Sequence, residues 1–368
     1  MSVPSVPGGF PDPEAIPDQF DVYDVEVGEE RVRYYGEPRD EKETVLRNVV
    51  PVFRERGYRL RLNYETGEHV LVATERSPGV DGIPWTNLAL LGATVVTTLL
   101  AGARWYGIPV ADAPLRVVEA WPFAASVLGV LAVHELGHYA TSRYHDVEAS
   151  LPYFIPVPTH LGTMGAVIRI RDRFPDRRAL FDIGAAGPLA GLVATVVVTA
   201  VGVSLPPIDV SDGASVATQL ELGYPLLIRG IAAALGEPLR YADPSLAVNP
   251  VVVGGWIGAF VTFLNLMPVG QLDGGHVTRA IVGERVALLG YAVPAALFGL
   301  AGYLFVFGDA SGAAIWVLWG FLTLVFGRVR GSGPLDGSPV GRGRAALGVL
   351  TLLLGALCFT PTPVVFVG

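Results

Sequence analysis

The chain has 368 residues, 51% hydrophobic and 16% charged, with a formal net charge of −8 and a mean hydropathy of +0.47. That is too apolar for a soluble domain of this length and fits several membrane-spanning helices. The lone cysteine, Cys358, excludes a disulfide framework and a cysteine-rich metal site, and the acidic balance excludes the basic face of a nucleic-acid binder.

Residues 1–82 form one compositional unit. Between Met1 and Trp85 the balance is −7, while the rest of the chain is close to neutral; Lys42 is the only lysine. An acidic, lysine-poor soluble portion fits a salt-loving or high-GC source and a prokaryotic cell membrane. The polar, Pro-rich leader through Phe20 lacks the basic and apolar stretches of a signal peptide, so no cleaved signal is expected. Asp21–Tyr35 reads as a strand-like run. Glu41–Arg56 has helical spacing, with Val45, Val49, Val50 and Phe53 on one apolar face. Tyr58–Asn63 and His69–Ala73 read as a β-hairpin turning at Gly67, with His69 exposed. Together these predict a small α+β domain of about 60 residues, close to the lower limit for a self-sufficient core.

From residue 83 onward the chain reads as membrane. Seven spans are predicted: Trp85–Tyr106, Trp121–Ser142, Phe181–Val203, Val251–Met267, Val286–Phe307, Ala313–Phe326 and Ala345–Phe359. The expected fold class is an all-α polytopic membrane protein of about seven transmembrane helices, with a small N-terminal α+β soluble domain (1–82) and a membrane domain (83–368). If residues 1–82 are cytoplasmic, Arg143, the Arg169–Arg178 cluster, Arg279, Arg285, Arg328, Arg330, Arg342 and Arg344 fall inside. Only Arg104, Arg116, Arg229 and Arg240 fall outside. This bias predicts a multi-pass protein with its N-terminus in the cytoplasm and its C-terminus outside. The Arg169–Arg178 cluster is most simply a topology signal, and it also suits contact with anionic lipid headgroups.

The second span carries His134-Glu135-Leu136-Gly137-His138. Ionisable groups at bilayer depth cost on the order of 3 kcal/mol each on insertion scales, so they require partners. Residues four apart share a helix face, which lets both imidazoles grip one zinc ion while Glu135 serves as general base. A catalytic zinc needs a third protein ligand. The fourth span ends Asn265-Leu-Met-Pro268-Val-Gly-Gln-Leu-Asp273-Gly-Gly-His276, where Asp273 is a carboxylate between a helix-breaking Pro268 and a permissive Gly274-Gly275 pair, as expected of a ligand-bearing loop. Both pieces lie at the inner ends of their spans, so they meet on the cytoplasmic side.

The His134–His138 motif in a membrane helix, followed by Asn265-x-x-Pro268-x-x-x-x-Asp273-Gly274, resembles the site-2 proteases, zinc intramembrane metalloproteases that cleave membrane-embedded substrates. Phe181–Gly191 is similar to the family's middle core helix, and Leu151–Phe174 to the loop before it. The resemblance covers the catalytic core, about 121–275, and fits the branch without a PDZ module. It implies one zinc held by His134, His138 and Asp273, with Glu135 as the base and Asn265 near the scissile carbonyl. It further implies a membrane-spanning substrate helix cut near the cytoplasmic side. Residues 162–171 are read as a strand that adds to an unwound substrate. Oligomeric state is not legible.

Rival readings stay open. The His/Glu/Asp cluster suits a transporter or a proton or metal pathway. The same motif suits a membrane-anchored peptidase for soluble substrates, and a non-catalytic scaffold is a third reading. Residue by residue, the histidines and Glu135 suit polar glue between helices, Asp273 a Gly-rich turn, and Asn265 a helix-packing amide. Gly187-x-x-x-Gly191 reads as a close packing face without chemistry. His145, His160 and His276 read as interfacial or turn residues rather than ligands.

Overall fold

The structure is a computed structural model that describes residues 9–76, 82–211, 215–308, 310–328 and 333–366. The first eight residues of the leader, and Arg330 of the charge-bias argument, lie outside the described residues.

The Asp21–Tyr35 run is two strands rather than one. Phe20–Val27 (β1) and Arg31–Pro38 (β2) pair antiparallel, because the polar Gly28-Glu29-Glu30 step folds the chain back, with the Gly28 N–H donating to the Arg31 carbonyl at 2.9 Å. The helix Lys42–Glu55 (α1) follows, then Tyr58–Glu65 (β3) and Glu68–Glu75 (β4). The antiparallel sheet has the order β1-β2-β4-β3. Its inner face (Val32, Tyr34, Leu60, Leu71) buries the apolar stripe Val45, Leu46, Val49 and Phe53 of α1, as the 3.6-residue spacing demands.

The membrane part runs through Trp85–Trp105 (α2), Trp121–Tyr144 (α3), the hairpin Tyr153–Pro156 (β5) and Thr163–Val167 (β6), and Arg177–Ser204 (α4). Next come the short strands Ile208–Asp209 (β7) and Leu220–Leu222 (β8), the helix Leu226–Leu235 (α5), Leu246–Ala247 (β9) and Val251–Asn265 (α6). The chain finishes with Asp273–Val282 (α7), Leu289–Phe307 (α8), Ala310–Arg328 (α9), Arg342–Ala356 (α10) and Val364–Phe366 (β10). Among the described residues, α2, α3, α4 and α8 are long and apolar enough to cross a membrane; α5, α6 and α9 contain shorter apolar helices. The predicted fourth span is cut to 15 residues because Pro250 precedes it and it stops at Asn265, before Pro268. The apolar α5 was not anticipated as a helix.

Two contacts fix which ends lie together. The N-terminal domain rests on the α3–α4 connection: Arg76 meets Asp146 and Asp172 at 2.9 Å, and Leu335, from the α9–α10 connection, is buried in the domain's core. At the other end of α4, β10 pairs antiparallel with β8.

Candidate active site

Helix α3 packs against α4 and α6, and this packing buries His134, Glu135 and His138 to 2%, 6% and 6% exposure. Helices can approach this closely because α4 presents glycines opposite the imidazoles. A Cβ on Gly187 would lie 2.0 Å from His138 Nε2, and one on Gly191 would lie 2.7 Å from His134 Nδ1. The i,i+4 glycine pair is thus matched to the i,i+4 histidine pair. It is a packing face, as its spacing suggested, but what it packs against is the site itself.

The carboxylate arrives from the far side. After Pro268 the chain turns back, and Asp273 is the first residue of α7 rather than a member of a loop. Gly274 makes this turn possible, since a Cβ there would sit 2.1 Å from the Leu266 carbonyl oxygen. Asp273 Oδ2 lies 3.4 Å from His134 Nε2 and 3.2 Å from His138 Nε2. The two Nε2 atoms are 3.3 Å apart. Among the described residues this is the one group of three His, Cys, Asp or Glu side chains whose donor atoms converge within 4.8 Å.

Two features fit a cation. The His138 Nδ1 lies 2.8 Å from the Ile183 carbonyl oxygen; a carbonyl only accepts, so Nδ1 carries the proton and Nε2 of the neutral ring offers its lone pair. With Nε2 unprotonated, its lone pair faces the Asp273 carboxylate at 3.2 Å, an arrangement that a cation between them, metal ion or proton, makes favourable. The triangle also has the right size. A tetrahedral zinc with bonds of about 2.0–2.1 Å requires donor–donor edges of about 3.3–3.4 Å, matching the three distances. The residues therefore fit zinc with one position left open.

Around the triangle, Asn265 Nδ2 lies 3.3 Å from His134 Nε2. A cavity of about 220 Å³ is lined by Glu135, His138, Ile168, Asn265, Asp273 and His276. His276 is tilted against Phe174 at 5.5 Å and is not one of the converging donors. His145 lies away from the triangle, with Nε2 2.9 Å from Asp182, and His160 uses its carbonyl to accept the Trp105 indole N–H. The sequence reading missed Ile183; it gave Gly187 and Gly191 as a packing face without chemistry, and Ile168 as part of a strand for the substrate. Only the glycine pair carried a signal, its spacing equal to that of the histidines.

The description "Peptidase family M50" matches residues 122–306. The probable zinc metalloprotease EGY1 of Arabidopsis thaliana, chloroplastic, is 35% identical over 248 residues, covering 67% of this chain and 43% of that protein. The probable zinc metalloprotease EGY2 of the same plant, also chloroplastic, is 32% identical over 244 residues, covering 65% and 41%. The chain thus spans less than half the length of these curated relatives. No solved structure matches it.

Proposed function

This chain belongs to peptidase family M50, the site-2 protease family, and from that premise we propose that it is a zinc-dependent intramembrane endopeptidase. It cuts peptide bonds of membrane-spanning substrates near the cytoplasmic face. The observation that carries the reading is the donor triangle of His134, His138 and Asp273, whose edges of 3.2–3.4 Å suit tetrahedral zinc. Glu135 lies beside it, buried in a helix otherwise apolar enough to span.

His134, His138 and Asp273 would hold the metal. Bound zinc supplies a Lewis acid that polarises the scissile carbonyl and makes water nucleophilic near neutral pH. Glu135 removes a proton from the attacking water and delivers it to the leaving amine. The Asn265 amide donates to the oxygen on which negative charge develops. A helical substrate hides its peptide bonds and must unwind before cleavage. Strand β6 is paired on one side with β5, and Met164 and Val167 are exposed, so its other edge suits addition of an extended substrate segment.

A path of seven crossings with a cytoplasmic N-terminus belongs to the same proposal, with α6, α9 and α10 crossing beside the four longer apolar helices. The N-terminal domain touches both the α3–α4 and α9–α10 connections, while β10 joins β8 beyond the opposite end of α4; the arginine bias assigns the first side to the cytoplasm. The test is Glu135→Gln in purified protein. Stoichiometric zinc with no cleavage of a transmembrane substrate is the expected result, and membrane proteins that accumulate uncut in cells carrying the variant identify the substrates. Cleavage at the normal rate refutes the assignment.

A further inference from the structure

The arginines of the N-terminal domain reach the strand that borders the catalytic cavity. Arg76, its side chain only 8% exposed, donates from Nε and Nη2 to Asp172 Oδ2 at 3.1 and 2.9 Å, and from Nη1 and Nη2 to Asp146. Arg59 pairs with the Glu148 carboxylate, which is 3% exposed. These acids belong to two segments already zipped together. The Arg171 N–H donates to the Glu148 carbonyl at 2.8 Å and the Ser150 N–H to the Arg169 carbonyl at 3.0 Å. Ala149 and Ile170 pair antiparallel between them, and the Arg169 N–H is held by Ser150 Oγ at 2.9 Å. One residue further on is Ile168, which lines the catalytic cavity together with Glu135.

We infer that the N-terminal domain is a working part of the active site: through Asp172 and Glu148, Arg76 and Arg59 set the register of residues 168–172, and so the place of the cavity wall, Ile168 and Ile170, that faces Glu135. This rests on the assignment of Glu135 as the base. The hairpin itself is tied to the membrane part from the other direction, by Asn87 to the Leu151 and Pro152 carbonyls and by the Thr97 hydroxyl to the Gly162 carbonyl. What remains for the N-terminal domain to fix is the far end of the strand, residues 168–172. Each link from Arg76 to Ile168 is a direct hydrogen bond or one step along the chain, so little slack separates the docked domain from the cavity wall beside the base. Arg76 and Arg59 are positioning residues; they touch neither substrate nor metal donors.

The experiment compares Arg76→Ala, Arg76→Lys and the exchange Arg76→Asp with Asp172→Arg. The readouts are zinc content, kcat and KM on a transmembrane substrate, and amide hydrogen exchange across residues 163–172. Arg76→Ala is expected to lower kcat by about tenfold to a hundredfold, the scale of a misplacement of up to 1 Å. KM and zinc content should change less than twofold, and exchange at the Arg169 and Arg171 amides, bonded to Ser150 and Glu148, should speed up. Arg76→Lys keeps the charge but loses the two-pronged contact, and falls between; the charge exchange recovers part of kcat. Faster exchange with unchanged kcat overturns the inference. So does loss of zinc together with kcat, which would make the domain a support for folding. Cleavage by Glu135→Gln would instead refute the base assignment, and the exchange measurement would still decide whether Arg76 holds residues 168–172 in place.

Discussion

Replacing Gly187 by alanine adds one methyl group to α4, and the structure states where it goes. The new Cβ would lie 2.0, 2.3 and 2.5 Å from His138 Nε2, Cδ2 and Cε1, against 3.4 Å or more in ordinary contacts. The ring would have to retreat by about 1.4 Å, or α3 and α4 would have to part by a comparable amount. Metal–ligand distances tolerate about 0.2 Å, so either movement takes His138 out of reach of its metal. Misplacement on the scale of 1 Å costs about a hundredfold in rate, or about 2.7 kcal/mol of transition-state stabilisation. Helix propensity acts in the opposite direction, since alanine is favoured over glycine by about 1 kcal/mol inside a helix, so the fold should survive. The assay is zinc per mole of protein together with kcat/KM, with circular dichroism as the check on folding. Gly191→Ala, with its Cβ 2.7 Å from His134 Nδ1, should be milder, and Gly129→Ala, whose Cβ meets nothing within 4 Å, should be neutral. A Gly187→Ala protein with full zinc and wild-type kcat/KM would refute the argument that this glycine exists to admit the imidazole.

Asp273→Ala should lose bound zinc as well as activity, since two histidines alone complete only two of three protein positions; full occupancy measured by elemental analysis would mean that the third ligand lies elsewhere. Proline at Val167 removes a backbone donor from the strand assigned to the substrate, and an unchanged cleavage rate would count against strand addition. Acid should loosen the N-terminal domain. Partial burial of Asp146 raises its pKa, but the hydrogen bond and charge of Arg76, with Arg54 behind them, outweigh this and hold it below its ordinary value of 3.8. Because the folded-state pKa is depressed, the contribution is complete above about pH 4 and is lost as pH falls through the folded value. With the Asp146 side chain 66% exposed, it amounts to less than about 1 kcal/mol. Fluorescence transfer between labels on the exposed Tyr64 and Met164 should therefore stay constant from pH 7 to about pH 4 and change only below that. A change near pH 6 would point to a different group.

The sequence marked the candidate metal donors and the candidate base, and their order along the chain. His134, Glu135 and His138 announce themselves because polar groups are conspicuous in an apolar run and because spacing within one helix is fixed by helical geometry. The apolar face of α1 was legible for the same reason: Val45, Val49 and Phe53 lie within one element, and local periodicity does not depend on anything else. The Asp21–Tyr35 run was misread as one strand because alternation marks strand character and does not mark where a polar turn reverses it. What the tertiary structure alone decided involves distance in the chain. It seated Asp273 at a helix start, set Gly187 and Gly191 against the two imidazoles, gave His138 its tautomer through the Ile183 carbonyl, and brought Arg76 to Asp172. None of these can be read from local pattern, because each depends on how two helices, or a domain and a connection, pack together. Packing follows from the shape of the whole chain, whereas periodicity belongs to each segment by itself.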